Sequence, residues 1–294
     1  MKLTEMQTVA QKVLADFIRM MPDAPFTENG IVIEFAPKNK MVERAKALCA
    51  LYVPDKTFSE SQMWELENII GGNALIGREK SAVLIRVNSK LSVKDLREIV
   101  YHELVHIFCG KMEMDGEHFI DTYGSGHTPD ENPENVLYDG QLNAGYVVWS
   151  EFIAQYYALR YVHQGGFPSS WLSAELIGLL DEVHAGNFMG SKRDFSMVCS
   201  YMLACSDVER LLERLKEPGY IFDDDKPFGA ETRSGFNRCL QLLNENLKKE
   251  KPWKITRHFI EELGVNYIAF FGMNSIYLGF TPADLLGGQY APGL

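Results

Sequence analysis

Apolar side chains at Met6, Val9, Val13, Leu14, Phe17 and Ile18 recur close to every 3.6 residues, which predicts an amphipathic helix over 5–20. The turn-forming stretch 22–30, with Pro22, Pro25 and Gly30, ends it. Residues 31–36 read as a short strand, 42–50 and 60–70 as two further helices, and Gly71-Gly72 stops the second of them. Ala82, Val83, Leu84, Ile85 and Val87 then make 81–88 a β-branched strand.

From Ser92 onward the helical period dominates. Ser92 reads as an N-cap with Asp95 in the first turn, and the apolar stretch runs to Phe108, where Gly110 closes it. A polar connection rich in Gly, Pro, Asn and Asp fills 115–140, a length that in a compact domain belongs to a lid or to a segment without structure of its own. Helices follow over 142–163, 169–185, 193–216, 231–250 and 253–263, and an apolar tail over 265–280 is broken by glycines. This order predicts an α+β fold: a small mixed sheet and its helices, then a mainly helical C-terminal half. The corresponding division is a core over 1–165 and a helical region over 166–294 packed on it.

Composition narrows the function classes. A chain of 294 residues with 46% hydrophobic side chains has ample material for a core. Forty acidic against 29 basic side chains leave a net charge of -11, which argues against a surface built to neutralise nucleic-acid phosphates or anionic lipid. The acids concentrate between Glu113 and Asp139, where Lys111 is the one nearby base, so a substrate segment carrying positive charge is favoured. No apolar run reaches the roughly 18 residues of a membrane span, and the first residues read as an amphipathic helix, so a cytoplasmic protein is expected. Cys49, Cys109, Cys199, Cys205 and Cys239 are scattered and contain no Cys-x-x-Cys pair, which fits reduced core thiols.

Residues 101–108 read Tyr-His-Glu-Leu-Val-His-Ile-Phe. Positions i and i+4 of a helix share one face, so His102 and His106 can both bind one zinc ion while Glu103 stands beside them as general base. Over 99–108 these three are the strongly polar side chains of an otherwise apolar helix. Burying them without a partner costs several kcal/mol, about what a small domain can spare, and a shared metal explains all three.

A zinc site needs a third protein ligand and leaves its fourth position for water. The positions three and six residues after His106 are Cys109 and Met112, which excludes the extended pattern of the metzincins. Glu151 is the first candidate, the one charged residue in the apolar run 147–158, with Ala154 and Ala158 on roughly its own face and Gln155 one turn on as a second hydrogen-bonding group. His127, in Gly-Ser-Gly-His-Thr-Pro, and His118 are the alternatives. With Glu151 as ligand, His127 or Tyr123 is placed to donate to an oxyanion.

His-Glu-Leu-Val-His after the strand at Val83–Val87, followed by Glu151-x-x-Ala154-Gln155-x-Tyr157-Ala158, resembles the gluzincin group of zinc metallopeptidases, above all the small ImmA/IrrE-type members. The resemblance covers residues 80–160. It implies a zincin-like core with His102, His106 and Glu151 as ligands of one Zn2+ and Glu103 as base; Gln155 and Tyr157 stand where that family has Asn and Phe. It also implies that Val83–Val87 forms the upper rim of a cleft, where a substrate backbone adds alongside. The expected activity is hydrolysis of a peptide or protein substrate. The alternative expectation is a zincin-fold sensing or protein-binding module whose zinc is structural or regulatory.

Overall fold

Three short strands, β1 (Ile31–Pro37), β2 (Gly72–Leu75) and β3 (Ser81–Val87), form one mixed sheet in the order β1-β3-β2. β1 runs parallel to β3 with Ile31 opposite Ser81, and β2 runs antiparallel to it with Gly72 opposite Ile85. The rest of the α+β chain is mostly helical. The computed structural model describes residues 1–68, 71–88, 90–112, 119, 122–124, 133–164, 188–205, 207–210 and 229–277. Contacts divide the chain into two compact units, Met1–Asp115 and Gly116–Ala291.

The first unit holds the sheet with α1 (Leu3–Met20), α2 (Met41–Tyr52), α3 (Glu60–Asn68) and α4 (Val93–Lys111). Ala82 and Leu84 of β3 join Leu75 of β2 in a core with Met41, Ala45 and Leu48 of α2 and Leu66 of α3. The alternate residues Val83 and Ile85 point to the other face, and α4 packs on β2 and β3. Both faces being covered, the continuous apolar run of β3 follows, and residues 82–85 are fully buried. On α1, Phe17 carries the contact to α4, its ring 4.9 Å from that of Tyr101 and 6.3 Å from that of Phe108.

One expectation needs correction here. β3 is the central strand, hydrogen-bonded on both edges, so no substrate backbone can add to Val83–Val87; among the described residues no strand pairs with the outer edge of β2. The third helix is described to Asn68, and Gly72, where it was expected to have stopped, opens β2. Its Gly-Asn-Ala-Leu sequence has little intrinsic strand preference, and pairing with β3 supplies what propensity does not.

α4 begins as its sequence predicts: Asp95 N donates to Ser92 Oγ and Ser92 N donates to Asp95 Oδ2, each at 3.1 Å, a reciprocal capping box. Gly110 does not close it. The helix runs to Lys111, and a Cβ at Gly110 would lie 2.5 Å from Ile76 Cδ1, so this glycine lets α4 approach the chain leaving β2. Lys111 ends the helix by donating its Nζ to the carbonyls of Gly77 (2.5 Å) and Arg78 (2.7 Å), and burial pulls its pKa down.

The second unit contains α5 (Pro133–Val162), α6 (Phe188–Ala204), α7 (Gly229–Leu247) and α8 (Arg257–Tyr277). α5 packs on α6 and α8, and α7 packs on α8. The connection over 115–140 ends sooner than its composition suggests, because Pro133 opens α5; a helix start is where a missing N–H costs nothing. The helix expected over 169–185 lies outside the described residues, as do 211–216 of the one expected over 193–216. The expected helix 253–263 and its glycine-broken tail are one helix, α8. Gly264 does not break it but faces Gly145 of α5: a Cβ at Gly264 would lie 2.1 Å from the Gln141 carbonyl oxygen, and one at Gly145 2.1 Å from that of Ile260. Phe195 of α6, Phe236 of α7 and Tyr267 and Phe270 of α8 interlock with ring centroids 5.0–5.7 Å apart. Ser200 Oγ, at 3.0 Å from the Phe152 carbonyl, ties α6 to α5.

All five cysteines are free and buried. Burial raises the thiol pKa of each, to about 12 at Cys109 and Cys205, so they stay protonated core groups. No described helix is long and apolar enough to cross a membrane.

The glycine contact between α5 and α8 generates a stability test. Gly264→Ala gains helix propensity, yet the new methyl overlaps a backbone carbonyl; a net loss of about 1–3 kcal/mol is expected in urea unfolding.

Candidate metal centre

His102 and His106 project from consecutive turns of α4 with their Nε2 atoms 3.0 Å apart and their ring planes inclined at 72°. Two zinc–nitrogen bonds at a tetrahedral angle place such atoms about 3.3 Å apart, so a rotamer adjustment of a few tenths of an ångström completes the fit. Both rings are half-buried. Their helix is fixed by Tyr101, Leu104, Val105, Ile107 and Phe108, all 2% exposed or less, which leaves the histidine face the polar one.

Glu151, on α5, completes the group. One ligand atom each from His102, His106 and Glu151 lie within 4.8 Å of one another, and the three can hold a metal ion. Two imidazoles and one carboxylate are a zinc-type donor set with one coordination position left over. On α5 the neighbours Trp149, Phe152, Ala154 and Ala158 are fully buried, which holds the backbone that carries the carboxylate.

Glu103 shares α4 with the histidines but turns away from them by about 100° of helix rotation. It is 8% exposed, and its side chain lies against Gly72 of β2: a Cβ built there would meet Glu103 Oε1 at 2.8 Å and Cγ at 2.9 Å. The carboxylate thus lies between α4 and an edge strand, on the helix turn that carries His102.

Of the other sequence candidates, His118 and His127 lie outside the described residues, together with most of the acidic connection. Tyr123 is 37% exposed and packs its ring 4.9 Å from that of Phe119. Gln155, one turn after Glu151, is buried.

Two residues that sequence reasoning passed over belong to this description. Gly72 looked like a helix stop. Arg193 of α6 places its Nε 3.6 Å from Glu151 Oε2, an ion pair with a side chain that is itself 38% exposed. Lys-Arg-Asp at 192–194 carries no pattern that distinguishes Arg193 from an ordinary helix-surface base. The neighbouring Lys192 is more deeply placed, and burial pushes its pKa down to about 8.

Replacing His102, His106 or Glu151 with Ala should each weaken Zn2+ binding by about 100-fold or more, measured by chelator competition, with the far-ultraviolet dichroism retained. Lys192 generates a pH prediction. Its ammonium is charged in both states at pH 7, so the burial penalty is fully present there; between about 8 and the ordinary lysine value the folded protein loses the proton first, and stability rises with pH. Lys192→Met should therefore raise the melting temperature at pH 7, and the gain should shrink above pH 8. Compared with models of protein families, with curated proteins and with solved structures, the chain matches none.

Proposed function

We propose that this protein is a zinc-dependent metallopeptidase of the gluzincin type with a zincin-like core. The observation that carries the reading is the convergence of His102, His106 and Glu151 within 4.8 Å, with Glu103 one residue along the same helix from a ligand. A buried carboxylate next to a metal-type donor set is what metal-assisted hydrolysis requires, and an ordinary core helix gains nothing from it.

A bound zinc ion would supply a Lewis acid that polarises the scissile carbonyl and brings the pKa of water to about 7. The two imidazoles and the Glu151 carboxylate would hold it. Glu103 accepts the proton of the attacking water and returns it to the leaving amine, so peptide and water are converted to acid and amine without a covalent enzyme intermediate. The outer edge of β2 runs beside Glu103 and is unpaired among the described residues, which makes it the strand on which a substrate backbone can add by main-chain hydrogen bonds.

One observation favours a second reading. Arg193 pairs with the carboxylate that would be the third ligand, an arrangement suited to a protein-binding module whose zinc is regulatory. The two readings separate on one variant. Glu103→Gln should keep Zn2+ at unchanged stoichiometry and lower turnover of a generic peptide or casein substrate by about 10²–10⁴-fold. Equal turnover in wild type and variant would rule out the peptidase mechanism, and metal-dependent partner binding without any turnover would favour the module.

A further inference from the structure

We propose that Gly72 is the positioning residue for Glu103: the missing side chain at this one strand position sets where the base stands. The inference rests on the reading of Glu103 as the base and adds what holds it there.

The contact is closer than any Cβ tolerates. A methyl at position 72 would lie 2.8 Å from Glu103 Oε1, 2.9 Å from Glu103 Cγ and 2.8 Å from Ile99 Cγ2. Since Cγ is involved as well as the carboxylate, turning the end of the side chain does not relieve the overlap; the whole glutamate must change rotamer. The strand cannot give way instead. Gly72 is paired in register with Ile85 of the central strand, Arg86 N donates to the Gly71 carbonyl at 2.8 Å, and Lys111 fastens the carbonyls of Gly77 and Arg78 to the far end of α4. α4 is fixed too, by its fully buried face. The displacement falls on the side chains of Ile99 and Glu103, and the buried Glu103 must leave the place it now occupies beside the strand.

Gly72 therefore acts through another residue, and a double-variant cycle isolates that action. The probe is acetohydroxamic acid, a small chelator whose N–H and O–H need an acceptor beside the metal, measured by calorimetry on the Zn2+-loaded full chain alongside Zn2+ affinity and melting temperature. Gly72→Ala should weaken acetohydroxamate binding roughly tenfold or more when Glu103 is present, and should have no further effect in the Glu103→Ala background. Zn2+ affinity should stay within about threefold throughout, because the metal ligands are untouched. Against a peptide substrate the same variant should lower kcat by about 10²-fold with KM little changed. Should Gly72→Ala fail to fold, Gly72→Ala combined with Ile99→Ala removes the second overlap and leaves Glu103 as the displaced side chain.

Equal weakening in both backgrounds would mean that the glycine merely leaves room for the ligand, and no weakening in either would mean that Glu103 does not move; each overturns the proposal while the base reading stands. If Glu103→Ala alone leaves acetohydroxamate binding unchanged, the base reading itself has failed and the proposal falls with it.

Discussion

The first unit depends on how closely α4 can lie along β2. Two contacts set that distance, and in each a glycine on one element receives a side chain of the other: Gly72 of the strand meets Glu103 and Ile99 of the helix, and Gly110 of the helix meets Ile76 just beyond the strand. From 103 to 110 the helix advances about 10 Å, and from 72 to 76 an extended chain advances about 13 Å. The elements thus run side by side over a comparable length, pinned at both ends by absent side chains. A side chain at either glycine would overlap the one it now receives, and at Gly72 the polar group displaced would be Glu103. The position of the Glu103 carboxylate is in this way a consequence of backbone packing.

Charge explains the rest of the centre. A carboxylate that is 8% exposed and two half-buried imidazoles on one helix each give up water on burial, a cost an apolar core would not carry. A divalent cation held by His102, His106 and Glu151 would offset that loss and stabilise the polar face of α4. Arg193 fits the same account. It stands 3.6 Å from an oxygen of Glu151, so that carboxylate also has a cation of the protein's own beside it.

Much of the fold and of the proposed site could be read from the sequence, for a definite physical reason: the features that were legible are local. The capping box at Ser92 and Asp95, the i to i+4 histidine spacing and the apolar run of β3 each involve residues within a few positions of one another, and each is found where its pattern predicts. Glu151 was legible because a lone charge in an apolar helix costs energy that something must offset. What could not be read depends on partners distant in sequence. β2 is a strand because β3 pairs with it, and which edge of the sheet is free follows from the strand order; neither leaves a mark on Gly-Asn-Ala-Leu. Arg193 becomes relevant only once α6 packs on α5, and its own surroundings in the sequence are those of any exposed base.

Glycine is where local reading failed most consistently, and the failures share one cause. Gly110 was read as the end of its helix, and the last helix was expected to stop at 263, just before Gly264; both glycines lie inside helices, and Gly72 opens a strand that no local pattern announces. In a helix interior a glycine costs roughly 1 kcal/mol relative to alanine, so reading it as punctuation is sound while no other force acts. Here another force acts at every one of them. Gly264 and Gly145 let the backbones of α5 and α8 touch, Gly235 does the same between α7 and α8, and Gly72 and Gly110 join β2 to α4. The dispersion gained along a close backbone contact offsets the propensity cost, because closer axes bring the flanking side chains into contact as well. A glycine that ends a helix has open space or a turn around it; these have carbonyl oxygens, side chains and another glycine within 3 Å of where a methyl would be. The distinction is one of surroundings and not of residue type, so it becomes visible only when both partners are in place, and at Gly72 the partner is the carboxylate on which the proposed chemistry depends.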